Sequence, residues 1–150
     1  MKAVIQRVSQ AHVEIEGQIV GKIAQGLLVL VCAERDDTEH EVEKVLSKIL
    51  KLRIFSDDEG KMNRSILNLD GHDKVGELLV VSQFTLAADV WRGNRPSFTQ
   101  AAPPELGNKL YEYFIKKAKE SINHVATGQF GATMQINLIN DGPVTIQIEG

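Results

Sequence analysis

Hydrophobic and polar residues alternate with a period of two through the first third of the chain. Val4, Gln6 and Val8 alternate with Ala3, Ile5 and Arg7, and Val13 and Ile15 then alternate with acidic residues before Gly17. Successive strand side chains point to opposite faces, so this pattern predicts β-structure. Gly21 and Gly26 punctuate two more short runs, the last being Leu27–Val31. An unbroken apolar run of this kind suits a central strand covered on both faces.

The period then changes. Thr38-Glu39-His40-Glu41 has the form of a capping box, in which the Thr hydroxyl and the Glu three residues on satisfy free backbone N–H groups. Val42, Val45, Leu46, Ile49 and Leu50 follow at helical spacing and predict a helix from about Thr38 to Lys51. Asp57–Gly60 reads as a turn and Leu67–Gly76 as a polar loop. Leu78–Gln83 is a second buried strand that runs straight into Phe84-Thr85. No regular element is legible from about Ala87 to Ala102. Pro103-Pro104 opens a second helix with an apolar stripe of Leu106, Leu110, Tyr113, Phe114 and Ile122. Met134–Ile139 and Val144–Ile148 alternate on either side of Asn140-Asp141-Gly142, which predicts a terminal β-hairpin. The expected fold is a single α+β domain over residues 1–150, with a curled, largely antiparallel β-sheet or barrel, two main helices and that hairpin.

Composition changes this picture little. The 150 residues suffice for one buried core, and 43% hydrophobic with 25% charged residues is an ordinary globular balance. The longest apolar runs are too short to span a bilayer, and Met1–Arg7 has no apolar stretch of signal-peptide length, so a cytoplasmic location and no membrane partner are expected. Cys32 is the sole cysteine, which rules out an intrachain disulfide, and its apolar surroundings favour packing over reactivity. A net charge of −3 argues against coating of nucleic acid, DNA included, but is compatible with a local patch that grips one RNA end.

Candidate chemistry is sparse. The four histidines are scattered without a second ligand at metal-binding spacing, so no metal and no cofactor are expected. There is neither a G-x-S-x-G elbow nor a phosphate loop. Arg92-Gly93-Asn94-Arg95-Pro96 carries two cations around a Gly turn, a pattern shared by phosphate sites and ordinary solvated loops. Ser82-Gln83-Phe84-Thr85 ends an apolar strand with three hydrogen-bonding side chains, where a rigid scaffold presents groups to a ligand. The same residues also suit a strand finishing in a loop with Ser and Thr bonded to local backbone, which the residue types alone favour. In Asn140-Asp141-Gly142-Pro143 the proline removes one ladder donor and restricts Gly142. A cis Gly142–Pro143 bond would aim two successive carbonyls the same way; a trans turn is the commoner outcome.

These segments resemble the D-aminoacyl-tRNA deacylase family over nearly the whole chain. The resemblance rests on Met1-Lys2-Ala3-Val4-Ile5-Gln6-Arg7-Val8, Ser82–Thr85, Gly93-Asn94-Arg95-Pro96-Ser97-Phe98 and Asn140-Asp141-Gly142-Pro143-Val144-Thr145, in order. It implies a homodimer of barrel-like α+β subunits that acts on the 3′ end of aminoacyl-tRNA. It further implies that Gly142-Pro143 is cis and enters the partner's site, where its carbonyls refuse an L side chain while a D residue or glycine fits. By the same resemblance Arg7 holds that peptide in place. Ser82, Gln83, Phe84 and Thr85 line the pocket beside the ester, and Phe130 and Met134 pack the terminal adenosine, with plain core packing the alternative for these last two. Trp91 departs from the family pattern, in which a polar or charged residue is usual, and bears on contacts to the tRNA arm or on stacking.

Two mechanisms fit the resemblance. Thr85 attacks the ester as a nucleophile, although no base adjoins it in sequence. Alternatively the site orients the ester and a water, backbone N–H groups near Phe84-Thr85 stabilise the oxyanion, and the terminal ribose 2′-hydroxyl assists; this second route is preferred. A non-catalytic module that binds RNA ends and a general esterase using Ser82 are the competing functions.

Overall fold

The computed structural model describes residues 1–150. Its frame is β1 (Lys2–Ile15), a 14-residue strand with neighbours on both sides. On one side its first half pairs antiparallel with β3 (Gly26–Cys32), and its second half pairs with β2 (Gln18–Ile23). On the other side it pairs along its length with β8 (Gln135–Glu149). The sheet continues from β3 through two parallel pairings, to β6 (Glu77–Ser82) and then β7 (Val125–Thr127). At the far edge β7 curls back towards β2, where a side chain at Gly21 would overlap the Thr127 carbonyl. The absence of a Cβ there lets the two backbones meet and nearly closes the barrel. A small antiparallel pair, β4 (Phe55–Ser56) and β5 (Met62–Arg64), flanks the turn predicted at Asp57–Gly60.

Two hydrophobic cores follow from the alternation of side chains across the sheet. Ile5, Leu27, Val29, Leu78 and Val80 face the two helices, while Val8, Val13, Leu28, Leu79 and Val81 fill the barrel interior. Both faces are therefore apolar at β3 and β6, which explains their unbroken hydrophobic runs. Cys32 is buried in this setting, and desolvation, followed by the nearby Glu34 charge, pushes its thiol pKa up. That disfavours the thiolate and fits a packing role.

Helix α1 (Glu39–Lys51) begins at the predicted capping box: Thr38 accepts from the His40 N–H, and the Glu41 carboxylate accepts from the Thr38 N–H at 2.6 Å. Val42, Val45, Leu46 and Ile49 are its buried face. Helix α2 (Pro104–Ala118) buries Leu110, Tyr111, Phe114 and Ala118. The buried tyrosine is thus Tyr111 rather than the expected Tyr113, whose hydroxyl instead donates to Glu43 on α1. Ile122 is buried as expected but lies beyond the helix end.

The α+β class, the curled sheet and the two main helices agree with the sequence reading, but the terminal hairpin does not. Residues 135–149 form one strand whose two halves pair with β1, not with each other. Gln6 lies opposite Thr145 while Val8 lies opposite Asn140, so the Asp141–Pro143 segment bulges out of register beside Arg7. The turn residues are accommodated by a bulge, not a reversal of the chain.

Candidate active site

The end of β6 opens into a cleft of about 600 Å³. Ser82 is the last paired residue of the strand, opposite Val31, and the Gln83 N–H still reaches the Val31 carbonyl at 2.8 Å. The chain then tightens into a single 3-10 turn, Phe84–Ala87, with no side-chain cap. Its first N–H groups, on Phe84 and Thr85, therefore have no partner within the turn. Phe84 is 57% exposed and meets Phe98 edge to face, with ring centroids 5.1 Å apart. The opposite wall comes from Phe130, Met134 and Ile136 as the chain enters β8. Gly128 makes room for Met134, because a Cβ there would lie 2.5 Å from its sulfur.

The charge state of the cleft decides what it can do. Ser82 and Gln83 supply its polar side chains, and none of the residues lining it carries an acid, an imidazole, an amine or a thiol. Tyr111 lies just beneath, in a small adjoining cavity; its hydroxyl donates to the Val80 carbonyl at 2.8 Å and its ring packs 6.0 Å from Phe130. Desolvation pushes the Tyr111 pKa up to about 12, so it remains a neutral support for Phe130. Nowhere do three His, Cys, Asp or Glu side chains converge as a metal-holding group.

The structure brings Ser82, Gln83, Phe84, Phe130 and Met134 together in this one cleft. Thr85 stands outside its lining: the side chain is exposed and its hydroxyl accepts from Gln83 Nε2. Phe98, Pro104 and Tyr111 were not read as site residues. Phe98 sits in the quoted Gly93–Phe98 run, and Pro104 opens α2, so the sequence held their positions but no sign that they converge.

Gly142 and Pro143 are elsewhere. They are exposed, joined by a cis peptide, and sit on the bulge facing Arg7. Arg7 lies six positions along β1 from Val13, the partner of cleft-lining Ile136, which amounts to about 20 Å at ordinary strand rise. Arg7 fixes the bulge from below. Its Nε donates to the Asp141 carbonyl at 2.9 Å, its Nη1 donates to the Ile54 carbonyl at 2.7 Å, and the side chain is 11% exposed. Asn140 braces the other flank by accepting from the Val144 N–H at 3.0 Å and donating to Thr145 Oγ1 at 2.9 Å. Gly142 has a φ of +136°, and a Cβ on it would lie 2.8 Å from a Val144 methyl and 2.9 Å from an Arg7 nitrogen. Only glycine fits this position without displacing its support.

Known proteins are similar to this chain in sequence and in fold. A 64% identical relative from Polaromonas naphthalenivorans (strain CJ2), called D-aminoacyl-tRNA deacylase, aligns over 148 residues, 99% of this chain and 96% of the relative. A solved structure described as c-Myc DNA Unwinding Element Binding Protein superposes with a TM-score of 0.91 at 40% identity, covering 100% of this chain and 99% of that one. A second, described as a probable eukaryotic D-amino acid tRNA deacylase, shares the fold with a TM-score of 0.79 at 19% identity, over 98% and 97% of the two chains. The family model for D-Tyr-tRNA(Tyr) deacylase matches residues 4–149. The chain belongs to the D-Tyr-tRNA(Tyr) deacylase family.

Proposed function

We propose that this protein hydrolyses the ester between a D-amino acid and the 3′ end of tRNA by holding the ester in the Ser82–Phe84 cleft, not by side-chain acid–base catalysis. The observation that carries this reading is the cleft without a titratable side chain, in a member of a deacylase family. An aminoacyl ester is already activated, so orientation and oxyanion stabilisation supply the acceleration that a base supplies elsewhere. Water adds to the carbonyl carbon and passes a proton to the ribose 2′-hydroxyl, which relays one to the leaving oxygen, while the Phe84 and Thr85 N–H groups receive the oxyanion. The bond to the ribose oxygen then breaks, and that oxygen takes a proton with help from the neighbouring 2′-hydroxyl. Phe130 and Met134 hold the terminal adenosine. Thr85 is a neighbour of the site, since its hydroxyl faces an amide donor and no base.

Selectivity in this proposal comes from a second copy of the chain. The Gly142–Pro143 bulge is too far from its own cleft to serve it, yet it is exposed and held rigidly by Arg7. The outer edge of β8 has no strand partner, and Ile139 on it is 51% exposed, as befits an edge that a homodimer covers. Placed over the partner's cleft, the carbonyls around Gly142 obstruct an L side chain and leave room for a D residue. Glycine passes the same filter, which makes glycine mischarged on tRNA-Ala a second substrate. The proposed setting is the cytoplasm, where aminoacyl-tRNA is used.

The test is incubation with D-Tyr-tRNA, L-Tyr-tRNA and a simple ester. Release of D-tyrosine alone supports the proposal. Binding without release would favour an RNA-end-binding module, and cleavage of the simple ester regardless of chirality would favour an esterase.

A further inference from the structure

The loop that rises beside the cleft is not used by any step above. Asp89 and Ser97 exchange both backbone hydrogen bonds, at 2.8 and 2.9 Å, and so pinch residues 90–96 into a closed loop. Its root is the cleft itself, because Phe98, next after Ser97, lines the cleft and packs on Phe84. At its tip Trp91 is 93% exposed, with Val90 beside it at 52%. An indole left this open normally gains by being covered, and nothing in the chain covers it. The tip is nevertheless fixed: the Trp91 N–H donates to Asp89 Oδ1 at 3.0 Å, and Arg92 lies 3.6 Å from the other Asp89 oxygen. Arg92 and Arg95 are both exposed, and Asp89 is the only acid between residues 89 and 99, in a chain whose overall charge is −3. The chain thus places a local excess of positive charge and one bare aromatic face at the cleft rim.

We infer that this loop is a clamp for the single-stranded 3′ end of the tRNA, with Trp91 stacked on an unpaired base upstream of the terminal adenosine and Arg92 and Arg95 against the adjoining phosphates. The inference rests on the deacylase reading for the identity of the RNA, but not for its test. A flat apolar ring flanked by guanidinium groups is complementary to a stacked, phosphate-linked strand. Trp and Arg also serve protein interfaces, but their place at the rim of the cleft that takes the tRNA terminus favours RNA. The clamp grips RNA that the cleft does not reach, so it contributes to binding and not to the chemical step.

Trp91 is the only tryptophan in the chain, so its emission reports on the loop directly. Titration with uncharged tRNA is expected to quench that emission saturably. Trp91→Ala should weaken binding of labelled tRNA by about 5- to 100-fold, with Trp91→Phe recovering most of the loss. Arg95→Gln should lower the salt dependence of binding by about one unit of log–log slope. Hydrolysis of D-tyrosyl-adenosine, which lacks the upstream nucleotides, should be unchanged in Trp91→Ala. Unquenched emission at saturating tRNA, or wild-type RNA affinity in Trp91→Ala, would overturn the clamp. So would emission that changes with protein concentration alone, which would mark Trp91 as a contact between copies. Quenching by tRNA without release of any D-amino acid would support the clamp while refuting the deacylase reading.

Discussion

Two regions of the β1–β8 ribbon, one at its end and one at its middle, are built in opposite ways. At one end Met134 and Ile136 help to line a concave, apolar cleft whose polar equipment is Ser82, Gln83 and the free N–H groups of a 3-10 turn. At the middle, between the two paired halves of β8, Gly142 and Pro143 form an exposed bulge held by Arg7 and Asn140. The first has space and polar side chains. The second has a fixed shape and exposed residues but no space. Each supplies what the other lacks, and the distance between them within one chain is what makes a second copy necessary in the proposed function.

The largest effect is expected from Arg7→Ala, which removes two carbonyl hydrogen bonds and the 3.7 Å ion pair to Asp141 from beneath the bulge. Hydrolysis of L-Tyr-tRNA should rise on the order of 100-fold, equivalent to about 3 kcal/mol of lost discrimination, while D-Tyr-tRNA turnover changes little. Unchanged L-rejection would break the assignment of selectivity to the bulge. Phe130→Ala attacks the cleft instead. Loss of a half-buried ring resting on Tyr111 should raise KM about 10- to 30-fold, some 2 kcal/mol, with the D-to-L ratio preserved. A changed ratio would mean that cleft and bulge do not divide the work as described.

Thr38→Ala, remote from both cleft and bulge, serves as a reference. Loss of the helix cap should cost about 1 kcal/mol in urea-unfolding experiments and leave kcat/KM untouched. The same cap has a pH signature. Hydrogen bonds from the Thr38 side chain, then from its backbone, lower the Glu41 pKa from 4.5 to about 2. Its contribution is therefore complete above pH 4.5 and is lost as pH falls from there through about 2. Unfolding curves across that window should show less acid sensitivity in Glu41→Gln than in the native chain. Smallest of all is Thr85→Ala, for which kcat should stay within about threefold because no base activates that hydroxyl. Near-total loss of turnover with intact tRNA binding would restore Thr85 as nucleophile.

What could be read in the sequence depended on how local its cause was. Helix α1 was legible because the cap, the spacing of Val42, Val45, Leu46 and Ile49, and the closing lysines all lie within 14 residues. The alternation of β8 was equally visible, but its pairing was not. Asn140-Asp141-Gly142 is a good hairpin turn by local rules, and only the length of β1, 130 positions away in the chain, leaves both halves of β8 paired to one partner. Alternation fixes which side chains share a face; it is silent on whether a turn signal reverses the strand or bulges from it. The cleft was partly hidden for a similar reason. Ser82–Thr85 stood out as polar residues at a strand end, whereas Phe98, Tyr111 and Phe130 come together only through the packing of α2 against the sheet. Arg7 gave no sign of its role by residue type, since an arginine in an alternating strand ordinarily faces water.

The composite site is tested most directly by mixing two damaged chains. Ala132→Trp fills the cleft and leaves the bulge intact; Arg7→Ala leaves the cleft open and loosens the bulge. With the first chain in roughly tenfold excess under conditions of subunit exchange, almost every open cleft faces an intact Gly142–Pro143 from its partner. If cleft and bulge meet across copies, L-Tyr-tRNA hydrolysis per Arg7→Ala chain falls to the native level while D-Tyr-tRNA hydrolysis persists. If L-Tyr-tRNA hydrolysis per Arg7→Ala chain stays as high as in that variant alone, selectivity belongs to the chain that owns the cleft, and the cross-subunit filter is wrong.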